Sequence, residues 1–270
     1  MVCPRITSIQ QCPRFCRQIN PGCGFPALNN PHVSIGRSLR DYWKRERASV
    51  GRLAATRNLA HVGWDFIRDS LPERKRRRYG DADYDWEFRV DTTSATVTWR
   101  TRLLGLLHSP YQPIEPQLFR EIMSSLEIDF TQFTFIDIGS GKGRALLLAA
   151  EYPFRRVIGI ELLPELNAVA EENIRKLGGE TRPRGEVQTV CTDAVEFIFP
   201  TESLVVFLFN PLPEAALKKV VSNLEASLRE YPRPVYAIYA SPAFEEVLAG
   251  SSALTRIGGT HQYSLFRNAA

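Results

Sequence analysis

The sequence predicts an α/β fold: a doubly wound sheet of seven strands behind a helical, basic N-terminal extension. Three observations predict it. From residue 111 onward, short apolar and β-branched runs alternate with stretches of helical period. The first of those runs ends in a glycine-rich turn that opens into a strong helix former, the corner at which doubly wound sheets bind ligands. Charge is uneven along the chain. Residues 1–80 hold 16 Lys/Arg against 5 Asp/Glu, and residues 81–270 hold 18 against 25. The divisions expected are residues 1–31, residues 32–110 and a ligand-binding domain over residues 111–270.

Met1 to Pro31 is polar and proline-rich, with no apolar stretch of the kind a secretion signal needs, and is expected to be disordered. Four of the five cysteines (Cys3, Cys12, Cys16 and Cys23) lie there at spacings that do not match a paired zinc site, and no metal is expected. The following stretch carries Arg37, Arg40, Lys44, Arg45, Arg47, Arg52 and Arg57 among Leu39, Trp43, Leu53, Trp64 and Ile67, the pattern of one or two helices. It closes on Arg74 to Arg78. Such a region could bind an acidic partner or RNA, though a basic run is more often a solvated face or a helix C-terminus. Next come an acidic-aromatic stretch, Tyr79 to Thr93, and the cluster Tyr111 to Pro116 before a helix at Gln117 to Leu126. No apolar run approaches a membrane span, so a cytoplasmic protein is expected.

The first strand, Phe133 to Ile138, breaks into Gly139, Gly141 and Gly143 and then into Ala145 to Ala150. A dinucleotide fingerprint, G-x-G-x-x-G, would need a third glycine at Arg144 or at Leu146, and neither is glycine. Asp137 also puts a carboxylate at the strand end, which repels a pyrophosphate and attracts a cation. A second strand runs from Arg156 to Ile160 and ends in Glu161, 24 residues after Asp137, as in a βαβ unit. A helix from Pro164 to Lys176 leads to a strand at Val187 to Cys191 and then to Asp193 and Ala194. The fourth strand, Leu204 to Phe209, ends in Asn210-Pro211-Leu212-Pro213. A helix at Ala215 to Arg229 and a strand at Val235 to Tyr239 follow. A short helix at Phe244 to Leu248 precedes two closing strands, Leu254 to Ile257 and Gln262 to Phe266. Their short connection predicts an antiparallel last strand.

D-x-G-x-G-x-G after a first strand, with Glu, Asp and Asn at the next strand ends, resembles the class I S-adenosylmethionine-dependent methyltransferases, a seven-stranded Rossmann-like family. The likeness runs from about Pro116 to Phe266 and is strongest to uncharacterised bacterial members that share the F-x-D-x-G-S-G-K-G-R loop. It implies S-adenosyl-L-methionine as cofactor, held by Asp137, Gly139, Ser140, Gly141 and Gly143 of the first turn. Glu161 would take the ribose hydroxyls, Asp193 with Ala194 the adenine, and Asn210 would complete the site. Asn210 is also the catalytic candidate, because family members acting on amines carry (D/N)-P-P-(Y/F) there. This chain has N-P-L-P and lacks the second proline and the aromatic residue. Tyr111, Pro113 and Pro211, together with Asp91 and Thr92, are expected to form a lid over the acceptor. The acceptor class implied is a protein lysine or a small-molecule nitrogen or oxygen atom. A catalytically silent module binding protein or RNA, and a nucleotide-dependent oxidoreductase, are the alternatives.

Each acidic residue has a plainer reading. Asp137 could cap a turn, Glu161 could be solvated, and Asp193 could cap the next helix. Lys142 and Arg144 receive no chemistry, and Cys191 reads as a core residue.

Overall fold

The computed structural model describes residues 34–68, 82–93, 96–98, 103, 111–180, 185–210 and 212–268. The segment 1–31, its four cysteines, the basic run 74–78 and Pro211 lie outside the described residues. The basic region forms two helices, α1 (Ile35–Val50) and α2 (Arg52–Arg68). Gly51 separates them at φ +82°, a value open to glycine at little cost. Asn58 of α2 donates to Glu46 of α1 at 2.6 Å. A short helix α3 (Ala82–Phe88) follows, then α4 (Pro116–Ser124), whose proline occupies the first turn, where its missing N–H costs nothing.

The remaining chain builds a sheet crossed by helices. Its strands are β1 (Thr134–Ile138), β2 (Arg156–Glu161), β3 (Glu186–Cys191), β4 (Leu204–Phe209), β5 (Val235–Ala240), β6 (Leu254–Gly259) and β7 (Tyr263–Asn268). The helices between them are α5 (Arg144–Ala149), α6 (Pro164–Glu180), α7 (Glu214–Glu230) and α8 (Glu245–Ala249). The order across the sheet is β3-β2-β1-β4-β5-β7-β6, and β7 runs antiparallel to both neighbours. The expected antiparallel last strand is therefore present. Its hairpin closes through Thr260, whose N–H bonds the Tyr263 carbonyl at 2.8 Å.

Burial explains the continuous apolar runs. All five residues of β1 and all six of β2 are buried, because helices cover both faces of a parallel sheet. Side chains alternate between two cores. Ile136, Ile158, Ile160, Val206 and Leu208 pack toward Leu217, Val220 and Leu224 of α7. Phe135, Val157, Val205 and Phe207 pack toward Phe119 and Ile122 of α4 and Leu146 of α5. Phe119 meets Phe135 and Phe207 edge-on at 5.9 and 5.6 Å between centroids, a favoured aromatic arrangement. β1 lies between β2 and β4, so the connections diverge from it in opposite directions. A crevice opens beyond the carboxyl ends at such a switch point.

Candidate functional site at the carboxyl ends of the central strands

A cavity of about 230 Å³ occupies that crevice. Its floor is Asp137, Gly139, Ser140 and Gly141 after β1, and its walls include Glu161 after β2, Asp193 and Ala194 after β3, and Phe207 and Phe209 of β4. The glycine turn is held rigidly. Gly139 and Ser140 donate their N–H groups to the Ile160 carbonyl at 2.8 and 3.0 Å, tying the turn to β2. Gly159 of β2 leaves room for this, since a Cβ there would stand 2.7 Å from Ser140 Oγ.

Two carboxylates face each other across the turn. Asp137 is 3% exposed and Glu161 7%. Glu161 accepts the Gly141 N–H and the Leu163 N–H, each at 2.8 Å, so it braces the loop as well as lining the cavity. Burial, with Glu161 beside it, pushes the Asp137 carboxyl up to about 8. Burial also raises Glu161, against the opposing pull of the backbone N–H groups of Leu163, Gly141 and Leu162. The plainer reading of Glu161 as a solvated residue does not describe its burial. For Asp193 the plainer reading is present: its carboxylate accepts the Val195 N–H at 3.0 Å and caps a 3₁₀ turn (Ala194–Glu196), while the residue still lines the cavity.

A roof comes from residues that precede the sheet. Tyr111, Pro113 and Ile114 line the cavity. The Tyr111 ring rests on Gly141, which has φ +55°, and a Cβ at Gly141 would lie 2.3 Å from the ring. The phenol is buried, which drives its pKa well above 10, and it donates to the Thr92 carbonyl at 2.6 Å. Thr92 belongs to a stretch that two buried cations of the glycine loop hold down. Lys142 Nζ donates to Asp91 at 2.8 Å and to the Thr93 carbonyl at 3.0 Å. Arg144 donates to Thr92 Oγ1 and, at 3.2 Å, to Asp85. Its guanidinium carbon lies 4.3 Å from the centre of the Tyr84 ring. Asp85 in turn accepts the N–H groups of Thr92 and Thr93 at 2.7 and 2.8 Å. Asn173 of α6 completes the join, donating to the Asp91 and Lys142 carbonyls at 2.9 Å each.

Among the expected site residues, Asp137, Gly139, Ser140, Gly141, Glu161, Asp193, Ala194, Tyr111 and Pro113 come together around the cavity. Gly143 and Asn210 are not among its lining residues. Gly143 caps α5 at φ +84°, where a Cβ would stand 3.2 Å from Ala170 of α6. A side chain at this position would crowd the contact between α5 and α6. Asn210 stands just past β4 at φ +43°, and Tyr239 of β5 donates its hydroxyl to the Asn210 amide oxygen at 3.1 Å. Sequence reasoning missed Arg45, Arg144, Leu163, Leu166 and Phe207 as lining residues. For Arg144 the signal was available. Two cations inside a glycine turn that folds into a buried corner require acidic partners, and Asp85 and Asp91 stand upstream.

Residues 136–233 match the family model described as a methyltransferase domain. Residues 136–233 are therefore similar to methyltransferase domains. A release factor glutamine methyltransferase of Moorella thermoacetica is 33% identical over 136 residues, which are 47% of this chain and 44% of the relative. The chain therefore spans less than half the length of the curated relative that it matches. An RNA methyltransferase from Salinibacter ruber, solved with S-adenosyl-L-homocysteine, shares 20% identity at a TM-score of 0.37, covering 58% of this chain and 92% of that one. A SAM-dependent methyltransferase from Aquifex aeolicus shares 16% identity at a TM-score of 0.42, covering 58% of this chain and all of that one (100%). Among the described residues, no helix is long and apolar enough to cross a membrane.

Proposed function

We propose that the protein transfers a methyl group from S-adenosyl-L-methionine to a nitrogen or oxygen nucleophile. The observation that carries this reading is the pair of buried carboxylates, Asp137 and Glu161, which line one cavity beside a glycine turn roofed by Tyr111. Burying two acids together raises their pKa values and costs stability, so the cavity is matched to a ligand bearing positive charge. S-adenosyl-L-methionine has an ammonium and a sulfonium, and its sulfonium supplies an already activated methyl group. Asp137 would hold the ammonium end, Glu161 and Asp193 the ribose and adenine, with Leu163 and Leu166 as apolar walls.

With an activated donor, the chain's own task is alignment and exclusion of water. The nucleophile's lone pair attacks the methyl carbon as the carbon–sulfur bond breaks, the electron pair stays on sulfur, and the acceptor gives up a proton. Tyr111, fixed through Thr92 and Arg144, closes the methionine end from solvent. Asn210, fixed by Tyr239, would orient the acceptor at the β4 end. A nicotinamide dinucleotide is disfavoured, because its pyrophosphate would meet Asp137 and Glu161. Calorimetry tests the reading: S-adenosyl-L-homocysteine is expected to bind and nicotinamide dinucleotide to give no heat. The reverse result, or no binding of either, refutes it.

A further inference from the structure

Charge on α1 is sorted by direction. Arg37, Arg40, Lys44 and Arg47 recur at steps of three, four and three residues, which places them on one side of a helix, and all four are exposed. At a rise of about 1.5 Å per residue the stripe is roughly 15 Å long. Asp41 is the one exposed acid on the helix, and Glu46 is turned toward Asn58. Among the described residues, Arg37, Arg40 and Lys44 have no carboxylate partner. Arg47 keeps its guanidinium 5.4 Å from the Trp43 ring. The same helix reaches the cavity: Arg45 lines it, and Ile35 packs against Leu163 and Leu166, which line it too. On α2, Trp64 is 62% exposed.

Resting on the methyl-transfer reading, we propose that α1 docks a single-stranded RNA along Arg37 to Arg47 and leads one nucleotide to the cavity rim at Arg45. A row of outward cations with regular spacing fits a repeating anion better than a single acidic side chain. Of the eight Lys/Arg in α1 and α2, seven are arginine, the residue whose planar fork suits phosphate oxygens. Trp64 offers a face on which a base can stack. A cavity of about 230 Å³ is far too small for a duplex, so a nucleotide acceptor must arrive unpaired. RNA presents such strands without an opening step. A membrane surface fits less well, since an interfacial helix needs a free apolar face opposite its cations. In α1 those residues, Leu39, Tyr42 and Trp43, are already half-buried.

Fluorescence anisotropy of a labelled, unstructured 20-nucleotide RNA against the full chain tests this. Four phosphate contacts predict a slope of log K against log salt of about −3 for a single strand. The variant Arg37→Gln/Arg40→Gln/Lys44→Gln is expected to weaken binding at least tenfold and to reduce the slope by about 2. Lys218→Gln/Lys219→Gln on α7 is expected to leave RNA binding unchanged. Calorimetry with S-adenosyl-L-homocysteine on the triple variant shows that it is folded, and it tests the cofactor reading separately from the RNA. Transfer of labelled methyl groups into total RNA supports the proposal. An RNA affinity that the triple variant does not change overturns it. So does tighter binding to phosphatidylserine vesicles or to polyglutamate, or label entering denatured DNA and not RNA.

Discussion

Replacing Asp137 with asparagine separates the two consequences of burying an acid at the ligand site. Burial, with Glu161 beside it, pushes the Asp137 carboxyl up to about 8 from an ordinary value of 3.8. Between these values the native state holds the proton more tightly than the unfolded one. Unliganded stability therefore falls as pH rises from about 4 to 8. A cationic ligand needs the ionised form, so binding below pH 8 must release a proton. The ionised fraction grows from about 1% at pH 6 to half at pH 8, so ligand affinity should rise on the order of 50-fold over that interval and then level off. Calorimetry with S-adenosyl-L-homocysteine at pH 6, 7, 8 and 9, in buffers of different ionisation enthalpy, measures both the affinity and the proton count. The expected release approaches one proton at pH 6, falls to about half a proton at pH 8 and is small at pH 9. In Asp137→Asn the neutral amide needs no ionisation. Its unliganded melting temperature should equal or exceed the parent's at pH 7.5, while its affinity is weaker and flatter in pH. A parent affinity independent of pH, with no proton released, would refute the reasoning.

Three further outcomes are expected. Gly141→Ala should displace the Tyr111 ring, because the new Cβ would lie 2.3 Å from it, and should weaken S-adenosyl-L-homocysteine by tenfold or more. Adding Tyr111→Ala should restore part of the loss, leaving about 1 kcal/mol of backbone strain at φ +55°. No restoration would mean that the ring contact is irrelevant. Arg144→Met removes the cation from a buried ion pair and should cost about 3 kcal/mol in urea unfolding, of which Asp85→Asn in the same chain recovers a part. A loss under 1 kcal/mol would show that the strap over the glycine loop is held elsewhere. Asn210→Ala should cut single-turnover methyl transfer while leaving cofactor affinity within about tenfold. Tyr239→Phe, which removes the hydroxyl that fixes the amide, should reproduce a fraction of that effect. Equal turnover in all three proteins would remove Asn210 from the reaction.

Much of the sheet domain is legible along the chain because its signals are local. Leu204–Phe209 is an uninterrupted apolar run and Thr134–Ile138 a mostly apolar one broken by Asp137, since both faces of a parallel strand are buried. The step from Ile138 through three glycines into Arg144 marks the ligand corner, because that turn needs left-handed backbone at Gly139, Gly141 and Gly143. Asp137 and Glu161 could be paired from sequence by the length of one βαβ unit.

Other features depend on contacts between residues far apart in sequence, and periodicity carries no trace of those. Nothing near Lys142 and Arg144 in sequence names their partners, and the fold brings Asp91 and Asp85 to them from 51 and 59 residues away. Gly143 shares the glycine signature but packs against Ala170 of α6, a contact that exists only once the two helices meet. Asn210 sits at the expected strand end, yet its amide is turned toward Tyr239 by a neighbouring strand that the motif does not contain. Sequence alone determined the fold class and the placing of Asp137 and Glu161 at neighbouring strand ends, because strand, turn and charge are written in neighbouring residues. Which side chains enclose the cavity was decided by tertiary packing, because enclosure depends on how separate elements meet in space.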